Sequence, residues 1–158
     1  MTATGLFDSN LEHIGIMRAQ LQAPPEVIGP GPEGLRVNFY ITGGEVTGPK
    51  LRGKVKPVGA DWFTIRADGV GILDVRTTIE THDGALIYVA YSGVGDLGPD
   101  GHAKFLRGEL PAKLPLRTVP RMQTAHSAYE WVNRCQFLSI GEADLGTFVV
   151  SYDVYAVR

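Results

Sequence analysis

The chain predicts an all-β fold, a single antiparallel meander closed into a barrel. Three observations carry this. Short runs with strand-like alternation follow one another along most of the chain, at the roughly eight-to-twelve-residue spacing of a meander. Asp-Gly pairs stand between several of them, at 68–69, 83–84 and 100–101. Glycine (20) and proline (10) are plentiful among the 158 residues, which disfavours a helix bundle and leaves little room for crossover helices. A sheet of nine or ten strands would expose two edges, and closure removes them.

The first run, Leu11 to Leu21, fits either a helical or an extended face; the strand-like chain that follows favours a strand. Pro24 to Gly34 (PPEVIGPGPEG) predicts a loop, because proline removes amide donors and glycine permits reversal. Strands are then expected at Leu35–Thr42, Leu51–Pro57, Trp62–Arg66, Val70–Thr81, Ala85–Val94, His102–Arg107, Leu116–Arg121 (the weakest), Gln136–Gly141 and Thr147–Val157. One short helix is expected near 128–135. Ser127 and Glu130 stand at the spacing of a capping box, and Tyr129, Trp131 and Val132 offer a surface to plug one barrel mouth.

Residues 1–158 read as one domain, with 1–10 a flexible or oligomer-contacting segment. Lys plus Arg is 15 and Asp plus Glu 17, a net charge of −2 that gives no footprint for nucleic acid or an anionic membrane. Cys135 is the single cysteine, so no internal disulfide is available. No signal-peptide pattern and no run of membrane-spanning length is seen, so a cytoplasmic location is expected. The four histidines lack metal-ligand spacing, and the glycine runs lack phosphate-loop or dinucleotide spacing. No metal and no cofactor is expected.

If Asp83-Gly84 forms a two-residue turn, His82 faces Ala85, Arg76 faces Tyr91, and Asp74 joins them on one side of the sheet. That side either faces water, with Arg76 and Asp74 as a surface ion pair, or lines a cavity with an anchored Asp74–Arg76–Tyr91 cluster. The opposite side, with Leu73, Val75, Ile79 and Tyr88, would be an outer, subunit-contacting face. Asp61, beside Trp62, is either a turn residue accepting backbone amides or a partly desolvated carboxylate suited to proton transfer. Arg121 is either a loop arginine satisfying carbonyls or a clamp for a substrate carboxylate or phosphate. Tyr129 and Trp131, at a barrel mouth, would pack and also touch a ligand.

Several segments together resemble the domain-of-unknown-function 3237 family, also called the UPF0311 proteins. They are Leu35–Glu45, Gly48–Gly53, Gly59-Ala60-Asp61-Trp62, Arg66–Gly69, Leu73-Asp74-Val75-Arg76, Asp83–Ala85, Pro120-Arg121, Tyr129–Asn133 and Tyr152–Tyr155. The resemblance implies a small antiparallel β-barrel, lipocalin-like or allene-oxide-cyclase-like, that forms a homodimer or larger homo-oligomer. It implies no particular reaction. Met122 and Gln123 depart from the aromatic and acidic residues expected after Pro-Arg in that family.

The leading expectation is a barrel enzyme without a cofactor, acting on a small, largely apolar molecule with a carbonyl or hydroxyl handle. Its chemistry would be acid–base proton transfer: isomerisation, elimination or cyclisation. Asp61 is the expected acid or base, Tyr91 and Tyr40 phenol donors, and Arg76 the partner of a developing oxyanion. Trp62, Asp74, Arg121, Tyr129 and Trp131 are the expected substrate-binding residues. Two alternatives stand beside it: a non-catalytic binding protein with the same cavity, and a structural oligomer with a packed interior.

Overall fold

A computed structural model describes residues 5–158, so residues 1–4 of the expected N-terminal segment lie outside the described residues. Ten strands form one antiparallel sheet: β1 (Leu11–Leu21), β2 (Glu26–Gly31), β3 (Gly34–Thr47), β4 (Gly53–Val55), β5 (Ala60–Ile65), β6 (Val70–Thr81), β7 (Leu86–Asp96), β8 (Lys113–Gln123), β9 (Gln136–Asp144) and β10 (Val149–Val157). Short β4 and β5 share one lane, each bridging β3 to β6. Likewise β1 and β2 follow one another along the other edge of β3. Because β1 also pairs with β10, the sheet closes into an eight-lane barrel.

Side chains alternate across each strand, so every second residue enters the barrel. Leu35, Val37 and Phe39 of β3, Phe63 and Ile65 of β5, Leu73, Val75 and Ile79 of β6, and Ile87 and Val89 of β7 are buried there. Leu73, Val75 and Ile79 of the expected subunit-contacting face are thus on the inner face, whereas Tyr88 of β7 stays outside at 43% exposure. The turn is why the β7 residues are reversed relative to the expectation. His82, Asp83 and Gly84 form a three-residue connection, with Gly84 at φ +89° and Thr81 bonded to Ala85. One extra loop residue shifts the register by one, so Val75 faces Tyr91 and Arg76 faces Ala90. Asp83 holds this turn by accepting hydrogen bonds from the hydroxyls of Thr81 (2.6 Å) and Tyr129 (2.8 Å).

Two further expectations change. The expected strand at His102–Arg107 is a helix, α1 (Gly101–Leu106), whose Ala, Lys, Phe and Leu follow Gly101 and His102 with no β-branched residue to resist it. Part of the expected loop Pro24–Gly34 pairs with β3 as β2. The helix expected near 128–135 is present as a 3-10 helix, Ser127–Arg134. Its N-terminus is capped by the His126 ring, which accepts the Ala128 N–H, and not by Ser127. Tyr129 and Val132 on this helix close one barrel end, while α1 lies over the other.

Candidate functional site

Asp61 sits second in β5, paired with Phe39 of β3 on one side and Val75 of β6 on the other. Phe63 and Ile65, at the same phase of the pleat, are buried inside the barrel, and Asp61 points inward with them at 9% exposure. Its Oδ1 accepts the backbone N–H of Asp74 at 2.9 Å. Burial disfavours the charged carboxylate and pushes its pKa up to about 7; the Asp74 amide and the Arg36 charge pull the other way but are outweighed.

Above Asp61, toward α1, lies a cavity of about 50 Å³ lined by aliphatic and aromatic side chains, among them Phe39, Phe63, Leu73, Leu116 and Phe105 of α1. Among the described residues, Asp61 is the one polar residue in its wall. On the other side of the carboxyl is a smaller void of about 10 Å³, shared with Val75, Tyr91 and Tyr152. Tyr91 (β7) donates its hydroxyl to that of Tyr152 (β10) at 3.3 Å, their rings edge-on at 5.5 Å. Burial raises the pKa of both phenols, so both stay protonated and act as donors. With Tyr91 donating to it, Tyr152 keeps a proton to give elsewhere. The ensemble is a titratable carboxyl at the junction of an apolar chamber and a phenol pair.

Of the residues singled out from the sequence, the barrel interior brings together Asp61 and Tyr91 only. Arg76 and Asp74 lie on the outer face, paired at 3.8 Å with side chains 57% and 54% exposed, as in the surface-pair reading. The Arg76 guanidinium lies 5.9 Å from the centre of the Trp62 ring, also on the outside. Tyr40 points outward and donates to Glu26 at 2.9 Å. All four are corrected to the outer wall by the pleat. Tyr129 and Trp131 are at the barrel end away from the apolar cavity: Tyr129 bonds Asp83, and Trp131 packs on Phe137 under Lys50. Arg121 is exposed on the outside of β8. The sequence reading missed Tyr152 as a site residue, although Val150, Tyr152, Val154 and Ala156 show the period-two pattern of an inner face. It also missed Phe105, which it placed on a strand.

Among the described residues, no three His, Cys, Asp or Glu side chains converge as a metal-binding group. Among the described residues, no helix is long and apolar enough to cross a membrane.

Residues 9–157 match the family model described as "Protein of unknown function (DUF3237)". A UPF0311 protein of Rhodopseudomonas palustris is 38% identical over 127 residues, covering 78% of this chain and 81% of its own. The crystal structure of a beta-barrel like protein from Acinetobacter baumannii AYE superposes with a TM-score of 0.81 at 27% identity, over 99% of this chain and all of that one. A structure described as an enzyme from Penicillium herquei has the same fold at 21% identity, with a TM-score of 0.66 and coverage of 99% and 100%.

Proposed function

The chain belongs to the DUF3237 family, and we propose that its barrel is an acid–base enzyme that moves a proton on a small, largely apolar molecule bearing a carbonyl or hydroxyl group. The observation that carries this reading is a carboxyl buried at the base of an apolar cavity with a pKa raised to about 7. An acid–base group works best when its pKa lies near the ambient pH, because both protonation states are then populated. The apolar wall selects an apolar substrate body and excludes water. Asp61 takes a proton from carbon next to a carbonyl, or from a hydroxyl, and returns it at a neighbouring atom. Tyr152, held by Tyr91, donates to the oxygen on which negative charge gathers. Isomerisation, elimination and intramolecular cyclisation all fit this exchange. The likeness to a barrel described as an enzyme is compatible with the reading.

The test is turnover of a panel of enolisable ketones, hydroxy-ketones and unsaturated phenols, with products resolved by mass and by chiral separation. Wild type, Asp61→Asn, Tyr152→Phe and Arg76→Ala are compared. The expected outcome is a loss of at least about a hundredfold in kcat/KM for Asp61→Asn, a smaller loss for Tyr152→Phe, and none for Arg76→Ala. The kcat/KM profile of wild type should bend near pH 7. Full turnover by Asp61→Asn, or tight binding of panel members that are recovered unchanged, would overturn the proposal.

A further inference from the structure

The barrel wall is not continuous. The β8–β9 ladder runs from the Lys113–Asp144 pair only as far as the Thr118–Ser139 pair. Beyond it, β8 continues to Gln123 paired with β7 on one edge alone, while Gln136–Leu138 of β9 pair with β10 and not with β8. A groove of about 410 Å³ fills the split, between Arg121–Gln123 on one wall and Val132–Gln136 on the other. It lies at the end of the barrel away from the Asp61 cavity.

The composition of this groove is one-sided. Its floor is apolar, since Met122 and Val132 are buried. Its walls carry amide side chains, Gln123 and Gln136. Two guanidiniums line it, Arg121 and Arg134, and no carboxylate does. Among the described residues neither arginine has an ion-pair or hydrogen-bond partner. The nearby Arg158 is different, because it is engaged by Glu12 (3.0 Å) and Cys135 (3.3 Å). The unpaired edge of β8 adds backbone groups, since alternate N–H and C=O groups of a strand face each side. Two like charges on one concavity are stabilised by an anion, and the planar guanidinium fork matches carboxylate and phosphate oxygens.

The groove is also short. The resumed ladder at Thr118 and Ser139 closes one end. The Asn133 side chain closes the other, accepting the Thr124 N–H and donating to the Thr124 carbonyl, both at 2.9 Å. A compact ligand fits between these stops and an extended chain does not. We infer that the split between β8 and β9 is a second binding site, for a small molecule that carries a carboxylate or phosphate group and rests an apolar part on Met122 and Val132.

The test is an amide-resolved NMR titration of the full chain with inorganic phosphate and, separately, with acetate, at constant ionic strength. Saturable shifts confined to residues 119–123 and 132–136 are expected. Arg121→Gln and Arg134→Gln should each weaken binding by about tenfold or more, and Arg76→Ala should leave it unchanged. Saturation by phosphate alone assigns a phosphoryl group, and saturation by acetate assigns a carboxylate. The inference is overturned if neither anion saturates, if shifts follow basic residues over the whole surface, or if the Arg121→Gln/Arg134→Gln double variant binds as wild type does.

Discussion

Replacing Asp61 by Asn should make the protein more stable at alkaline pH while leaving it nearly unchanged at pH 4. The carboxyl titrates near 3.8 when unperturbed and near 7 in the fold. Between those values the folded chain holds a proton that the unfolded chain has released. The stability this confers is complete below the unfolded value, and it is lost as pH rises through 7. Three pH units at about 1.36 kcal/mol each give a loss on the order of 4 kcal/mol by pH 8.5. Asparagine cannot ionise, and its carbonyl can still accept the Asp74 N–H, so the variant escapes that loss. For a chain of this size the difference corresponds to roughly 8–16 °C in Tm. Carboxylates held low by hydrogen bonds, such as Asp68 and Asp144, act in the opposite sense at acid pH. They are common to both proteins and cancel in the difference. Urea unfolding followed by tryptophan fluorescence from pH 4 to 8.5 measures it. A wild-type-minus-variant difference that stays flat across this range would refute the reasoning.

Two further variants probe the wall around the site. Gly59 has φ +87°, and a Cβ there would stand 1.8 Å from the Arg76 carbonyl oxygen; Gly59→Ala should therefore cost about 2 kcal/mol or more in urea unfolding, because backbone on both sides must move. Arg76→Ala removes only an exposed pair with Asp74 and a contact with Trp62, and its urea midpoint should shift by no more than about 0.5 kcal/mol equivalent.

The barrel was legible because its signal is local and repeated. Alternation in Val70–Thr81 and Thr147–Val157 marks strands whatever their partners, and edge closure follows from their number. What was lost turned on single residues. Whether His82 belongs to the strand or to the turn decides the register of β6 against β7, and so decides whether Tyr91 or Ser92 of β7 shares the inner face with Val75. The alternation itself held the correction: Leu73, Val75 and Ile79 are the apolar phase of β6, and an apolar phase belongs inside a barrel of one chain. The same rule places Asp61, which shares its phase with Phe63 and Ile65. The helix α1 was hidden because His102–Arg107 is too short for a period to declare itself, and β2 because Pro30 and its two glycines lie on a strand with one free edge. The split between β8 and β9 had no local signal, since it arises where two strands separated by a 3-10 helix fail to meet.

The case for Asp61 as a working residue rests on what a structural residue at that place would look like. A carboxylate that serves only to hold a fold is ionised and supplied with several donors, as Asp83 is by Thr81 and Tyr129. Among the described residues, Asp61 has one hydrogen bond, from a backbone amide, and no paired cation. Asparagine would accept the same bond without the cost of ionisation, and a leucine-sized apolar residue would fill part of the cavity above. Both changes favour stability at neutral pH. A residue that costs stability where cheaper ones would fit supports the proposal that its proton is used. The chamber that raises its pKa is also the space in which a guest would meet that proton.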